Sequence, residues 1–378
     1  MKADFTFINK TNFQYQENIF LELKDGLWKK YNIQNHLKNS LIPANQPHKK
    51  LSVFTDYIVI PPGAYYDVKT NTIKEDLYTP SFIPMDKHKL YKLFENYFSQ
   101  FTNKTIAVHL SGGLDSSIII GLLNHFKIQF SLIGLVSDLF EFRTERFVQQ
   151  ILSPLGKNTK LINMDEYPSY SNLQNRKLSN VPDDNIKQVE ASIAIARASK
   201  EFADIVFTGQ GGDTIFADAI PNPPNKWYCN ILNEFIPCFE TAHIYPNERL
   251  ELISPFADKD IIDAIYSLRI GLKSDPTKKW ARSFFKEILP QELTDFNYSA
   301  DFFGTSLSGL ELAKPEIVNL FNNAYEMTCH PIFSKKSIQN FIDFDVLDFE
   351  YQHYISYTNR ISLAVWYNSL KREGYDKE

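Results

Sequence analysis

Seven consecutive residues, Ser111-Gly112-Gly113-Leu114-Asp115-Ser116-Ser117, combine the types that hold a phosphate. They lie between an apolar β-branched run and a helical one, where free backbone N–H groups and the helix dipole converge on an anion. The glycines let the main chain approach phosphate oxygens, the serines add donors, and Asp115 can reach a magnesium ion bridging those oxygens. The run lacks the lysine of a Walker P-loop, so it does not fit γ-phosphoryl transfer of the kinase or GTPase kind. A second cluster, Thr208-Gly209-Gln210-Gly211-Gly212-Asp213-Thr214-Ile215-Phe216, follows another short apolar run. Only 14 of 378 residues are glycine, and five of them fall in these two clusters, which marks both as places where the chain needs the residue.

These loops need a scaffold, and the pattern from Lys104 onward supplies one. Short β-branched runs alternate with longer helical ones, the signature of a parallel sheet covered by helices. Strands are expected at Lys104–Leu110, Ile128–Val136, Lys160–Met164 and Asp204–Thr208, and helices at Ser116–His125, Phe142–Leu155 and Ile186–Phe202. The fold class is α/β, a doubly wound parallel sheet with added C-terminal helices and a small N-terminal β-rich domain. Ligands of such sheets bind at the carboxyl ends of the strands, so both glycine loops should face one crevice. Apolar residues at helical spacing over Asp258–Leu268, Trp280–Ile288 and Arg360–Leu370 predict the C-terminal helices. Leu51–Ile60, Pro61-Pro62-Gly63 and Tyr65–Val68 read as a hairpin-like unit with a proline-stiffened turn. The helix Lys87–Gln100 connects that unit to the core, giving a division into residues 1–86 and 87–378.

The first loop resembles the pyrophosphate loop of the ATP pyrophosphatases, which transfer AMP to a substrate and release pyrophosphate. The second is similar to the Ser-Gly-Glu-Gly-Ala-Asp-Glu-Leu-Phe segment of the asparagine synthetase family. Glu251 with Pro255-Phe256-Ala257-Asp258-Lys259, Lys278 with Arg282 and Leu289-Pro290, and Thr144-Glu145 resemble further segments of that family. The resemblance implies an ATP- and magnesium-dependent ligase that forms an amide through a carboxyl adenylate. It implies a nucleotide site of Leu110, Ser111, Gly112, Gly113, Leu114, Asp115, Ser116, Ser117, Leu135, Thr208, Gly209, Gln210 and Gly211. Asp115 and Asp213 are the implied metal ligands, and Gln210, Lys278, Arg282 and Glu251 the implied catalytic residues.

Glutamine-dependent members of the family begin with a catalytic Cys, whereas this chain begins Met1-Lys2-Ala3. The expectation is a cut-down N-terminal remnant, with Val59, Pro61, Pro62, Gly63 and Tyr78 in its retained portion, and an amine that does not come from glutamine. Two offshoots close an amide within one substrate: small-molecule lactam synthetases and lasso-peptide cyclases. The Gly209–Asp213 pattern resembles the cyclases more, with Gln210 positioning a group, since an amide is a poor base. That implies a precursor peptide as substrate and a leader-peptide protease as partner. The family's late Arg-x-Lys-x-Gly-Phe segment aligns with Asn297-Tyr298-Ser299-Ala300-Asp301-Phe302, which lacks the lysine, so either Lys278, Lys279 or Arg282 supplies that positive charge or the acyl-transfer step is weakened.

Other residues read as structural. Asp258 opens a helix as an N-cap, His109 is a packed strand residue, and Phe302-Phe303 and Trp366-Tyr367 belong to the core. Forty Lys and Arg against forty-five Asp and Glu give a net charge of −5, with no basic excess to attract nucleic acid. Three cysteines, Cys229, Cys238 and Cys329, form no CxxC pair and suit a reducing cytoplasm. No run approaches the ~18 apolar residues of a membrane span, so neither nucleic acid nor membrane is an expected partner.

Overall fold

The computed structural model describes strands within residues 6–75 and residues 69–70, 79–178, 182, 186–222, 224, 227, 231, 244–295, 303–329, 331–343 and 351–374. Near the N-terminus, β1 (Thr6–Asn9) pairs antiparallel with β2 (Tyr15–Gln16) and with β3 (Tyr57–Ile60), while β4 (Ala64–Asp67) pairs with β5 (Thr72–Glu75). The expected hairpin across Pro61-Pro62-Gly63 is therefore not the pairing found. The chain reverses at Lys69–Thr70 instead, and a strand joined there finds its partner downstream. The packing that would make residues 1–86 a separate unit falls mostly outside the described residues, as do Pro61, Pro62, Gly63 and Tyr78.

Helix α1 (Lys87–Ser99) starts where Asp86 accepts from the Lys89 backbone N–H at 2.8 Å, and buries Leu90, Phe94 and Phe98 along one stripe. Next come β6 (Ile106–His109), α2 (Leu114–His125), β7 (Ser131–Val136), α3 (Arg143–Leu152), β8 (Thr159–Asn163), α4 (Val189–Lys200) and β9 (Ile205–Phe207). After the short helix α5 (Gly212–Ala217), β10 (Glu251–Ile253) completes a five-stranded parallel sheet in the order β10-β9-β6-β7-β8. The chain runs outward from β6 through β7 to β8, then returns to β9 on the other side of β6. That reversal puts the β6 and β9 exits side by side.

Alternation along the strands fixes the layers. Ile106, Val108, Ile205 and Phe207 join one core with α1, α2 and α6 (Lys259–Arg269), whereas Ala107 and Val206 join another with Val189, Ile195 and Ala196 of α4. Phe98 meets Phe207 edge to face with centroids 5.3 Å apart. Following α6 are α7 (Lys279–Phe284), α8 (Gln291–Asp295), α9 (Phe303–Thr328), α10 (Lys335–Ile342) and α11 (Tyr351–Arg372). The last three form their own core, with Ile317, Phe321, Trp366 and Tyr367 buried, and Tyr170 joins it through a 2.8 Å hydrogen bond to Thr358.

Among the elements not anticipated are β10 and α9. β10 is three residues long, too short for a period to show. α9 runs for 26 residues through an exposed Pro315, a residue type that ordinarily interrupts a helix.

Candidate active site at two apposed glycine loops

Loop one leaves β6 and enters α2. Gly112 has φ +80, a left-handed conformation that costs other residues energy, and a Cβ there would lie 2.4 Å from the Glu145 carbonyl oxygen. The loop is braced internally: Ser111 Oγ lies 2.7 Å from Ser116 Oγ and accepts from Gly113 N–H at 3.1 Å, and Ser117 Oγ donates to Gly113 O at 2.7 Å. Among the described residues no side chain caps α2, so its first-turn amides stay available to an external anion.

Loop two leaves β9 and enters α5. A Cβ on Gly209 would meet the Ser116 backbone nitrogen at 2.8 Å, and one on Gly212 would meet Asp115 Cγ at 2.3 Å. These glycines serve loop-to-loop contact: they let the second loop lie directly against the start of α2. Three ties hold α5 in place. Arg269 donates to the Ile215 carbonyl and, at 3.0 Å, to Asp218 O, and Trp227 Nε1 donates to Thr214 O at 3.1 Å.

Asp115 and Asp213 face each other across this contact, and the Lys278 ammonium stands between them. Its Nζ is 2.6 Å from Asp115 Oδ2 and 2.6 Å from Asp213 Oδ1. Lys278 is itself in a left-handed conformation, φ +54, immediately before α7. Asp275 shapes that turn by accepting from Thr277 Oγ1 at 2.6 Å and Lys279 N–H at 3.0 Å, while its own N–H donates to Ala217 O at 2.8 Å. The turn is thus anchored to the end of the helix that carries Asp213. Burial alone would depress the Lys278 ammonium, but the two carboxylates hold it above its ordinary value. Burial raises Asp115 above the usual carboxylate range, against the pull of Lys278.

A cavity of ≈210 Å³ opens beside the loops at the ends of β6 and β7, bordered by Leu110, Ser111, Leu135, Glu145 and Gln210. Gln210 O accepts from Ser254 Oγ at 2.7 Å, while its Oε1 is buried and, among the described residues, has no hydrogen-bond partner. His109 lies on the same wall rather than in the packed interior of the strand layer. Its Nε2 is 2.7 Å from the Tyr245 hydroxyl, and burial pushes the imidazole down to about 4.

The sequence-based set divides cleanly. Leu110 through Ser117, Leu135, Thr208 through Gly211, Asp115, Asp213, Gln210 and Lys278 gather at one end of the sheet. Arg282 lies behind them. Its Nε donates to Thr277 O at 2.8 Å and its guanidinium also reaches the Leu293 carbonyl, so it braces the Lys278 turn while its charge acts on Asp115. Glu251 is not brought to the site. As the first residue of β10 it pairs beside Ile205 at the amino end of the sheet, exposed and 3.3 Å from Lys104. Lys279 is exposed, and Asp258 is the α6 N-cap, accepting from Asp260 N–H at 3.0 Å. Trp366 and Tyr367 are core, whereas Asn297–Phe302, Cys229 and Cys238 lie outside the described residues.

Sequence reasoning missed Gln149. Its Nε2 donates to Leu110 O at 2.8 Å and Leu135 O at 2.7 Å, stitching β6 to β7 where both reach the cavity. Its spacing, four residues after Glu145 and so on the same face of α3, was the available signal.

Among the described residues no cluster of three or more His, Cys, Asp or Glu is placed to hold a metal on protein ligands alone. Magnesium commonly takes one or two carboxylates plus substrate phosphates. The pair Asp115 and Asp213 fits that donor set. Asp115 Oδ1 is buried and, among the described residues, without a partner, beside the uncapped start of α2.

The family model for asparagine synthase matches residues 100–221. The matched segment contains both glycine loops, Asp115 and Asp213, and ends before the Lys278 turn. No curated protein matches the chain by sequence. Similar solved structures include a U34-tRNA thiolase from Methanococcus maripaludis with its [4Fe-4S] cluster, at 14% identity and TM-score 0.31, covering 77% of this chain and 87% of that one. The NAD+ synthetase of Burkholderia pseudomallei shares 13% identity at TM-score 0.29, covering 56% and 91%. The NMN synthetase of Francisella tularensis shares 11% at TM-score 0.27, covering 61% and 94%.

Proposed function

We propose that this protein joins a carboxylate to an amine with cleavage of ATP to AMP and pyrophosphate. The observation that carries the reading is the apposition of the two glycine loops, with Asp115 and Asp213 converging beside the uncapped amides of α2. In the proposed reaction the first loop binds the phosphates of ATP, the substrate carboxylate attacks the α-phosphorus, and pyrophosphate leaves. Magnesium, held by Asp115 and Asp213, would neutralise charge on the leaving group. Lys278 adds an ammonium at the same place, the role for which the family's late lysine is missing from Asn297–Phe302.

The amine then displaces AMP from the activated carboxyl. Gln210 cannot take its proton at neutral pH, so its Oε1, which has no partner among the described residues, serves as an acceptor that orients an N–H of the incoming group. We assign the amine to the same molecule as the carboxylate: a precursor peptide whose N-terminal amine closes on an Asp or Glu side chain, with a leader-peptide protease acting beforehand. The Gly-Gln-Gly-Gly-Asp pattern supports this choice. Incubation with ATP, magnesium and a trimmed precursor should give a product lighter by one water, with AMP. AMP release with no lighter product from any precursor or small amino acid would overturn amide formation.

A further inference from the structure

The contact at the centre of the site has a consequence for how a metal reaches it. Asp115 Oδ2 and Asp213 Oδ1, the oxygens turned toward each other, are both spanned by the Lys278 Nζ at 2.6 Å. An ammonium at that distance leaves no room between those oxygens for a divalent ion, which needs metal–oxygen contacts of roughly 2.1 Å in a near-octahedral shell. It also cancels one unit of the pair's negative charge, which would otherwise attract a free cation. The turn around Asp275 fixes the Lys278 backbone and ties it to α5 through Ala217, so the ammonium is a built part of the site. Asp213 is largely exposed, with 84% of its side chain accessible, and can swing; the lysine, at 11%, is enclosed.

We infer that Lys278 is a resident counter-cation that closes the carboxylate pair to free divalent metal, so that metal enters only together with a polyphosphate. The phosphate oxygens offer the ammonium new acceptors as it gives up the carboxylates, and this exchange of partners couples metal binding to nucleotide binding. A site whose carboxylates waited bare would instead fill with metal first. The inference rests on the reading of Asp115 and Asp213 as metal ligands.

The test is a Mn²⁺ titration of the full chain, followed by electron paramagnetic resonance of the free ion, without nucleotide and then with a non-hydrolysable ATP analogue. Wild type should bind Mn²⁺ weakly alone and at least about tenfold more tightly with the analogue. Lys278→Met should bind Mn²⁺ alone at least about tenfold more tightly than wild type, and Asp115→Asn in the Lys278→Met background should lose that gain. Lys278→Arg keeps the charge and should stay closed, and circular dichroism confirms that each variant is folded. Equal nucleotide-free Mn²⁺ affinity in wild type and folded Lys278→Met overturns the inference. Analogue binding, read separately by calorimetry, keeps the two readings apart: its absence in wild type would sink the ATP reading, whereas its presence with equal Mn²⁺ affinities sinks only the role of Lys278. Should Lys278→Met not fold, tight nucleotide-free Mn²⁺ binding by wild type alone is enough to overturn it.

Discussion

Asp115 carries three demands at once: it partners Lys278, it packs under Gly212, and it keeps one oxygen for an outside group. Asp115→Ala should reduce ATP–pyrophosphate exchange by on the order of a hundredfold or more, and an unchanged rate would remove Asp115 from the mechanism. His109 makes a pH prediction. Its folded imidazole titrates near 4 against an ordinary 6.5, so below about 6.5 the unfolded chain takes up a proton that the folded one refuses. Stability is therefore complete above about pH 6.5 and falls as pH drops toward about 4, by roughly 3 kcal/mol from this group. In urea unfolding measured across that range, His109→Gln should flatten the acid limb while costing about 1 kcal/mol at pH 7 through the lost Tyr245 contact. An unaltered pH slope would mean that the imidazole is not held neutral.

At the scale of elements, the site depends on two strand exits that approach within a Cβ of each other. Gly209→Ala places a methyl against the Ser116 backbone, which cannot rotate aside, so the loops must part. Destabilisation of about 2 kcal/mol and loss of nucleotide binding are expected, measured by chemical unfolding and calorimetry. Gly212→Ala meets Asp115 at Cγ and at Cβ, and since the Cβ cannot rotate aside this substitution too should cost both stability and binding. These loops and the core strands were legible because glycine, hydroxyl and carboxylate types cluster at strand-to-helix junctions. Core strand ends moved by up to three residues; Ile128–Val136, for instance, begins at Ser131 and ends where expected. What could not be read was the placement of residues far along the chain. Glu251 looked like a site residue by its company, yet its position at the start of β10 sends it to the amino end of the sheet. Lys278 was one of three cations, and only the turn built on Asp275 shows why it, and not Lys279, enters. Tyr245 carries no local signal, since its partner His109 lies 136 residues away.

Across the whole molecule, three cores divide the labour. Two cover the opposite faces of the sheet and fix the loops; the third, built from α9, α10 and α11, reaches the cavity side through Tyr170 and the Arg176–Glu190 pair at 2.7 Å. Among the described residues no helix is long and apolar enough to cross a membrane. A net charge of −5 predicts no tRNA binding in gel shifts at ~150 mM salt, and a salt-sensitive shift would contradict a peptide or small-molecule substrate. Binding energy should concentrate on the nucleotide, so ATP with magnesium should raise the unfolding temperature while magnesium alone should not.

ATP labelled at the α-phosphate shows which of its bonds this protein breaks. With magnesium and a productive substrate, the label should appear in AMP, and Asp115→Ala should abolish its appearance. Label recovered in ADP, from wild type but not from the variant, would show cleavage at the γ-phosphate by this same site and contradict the account.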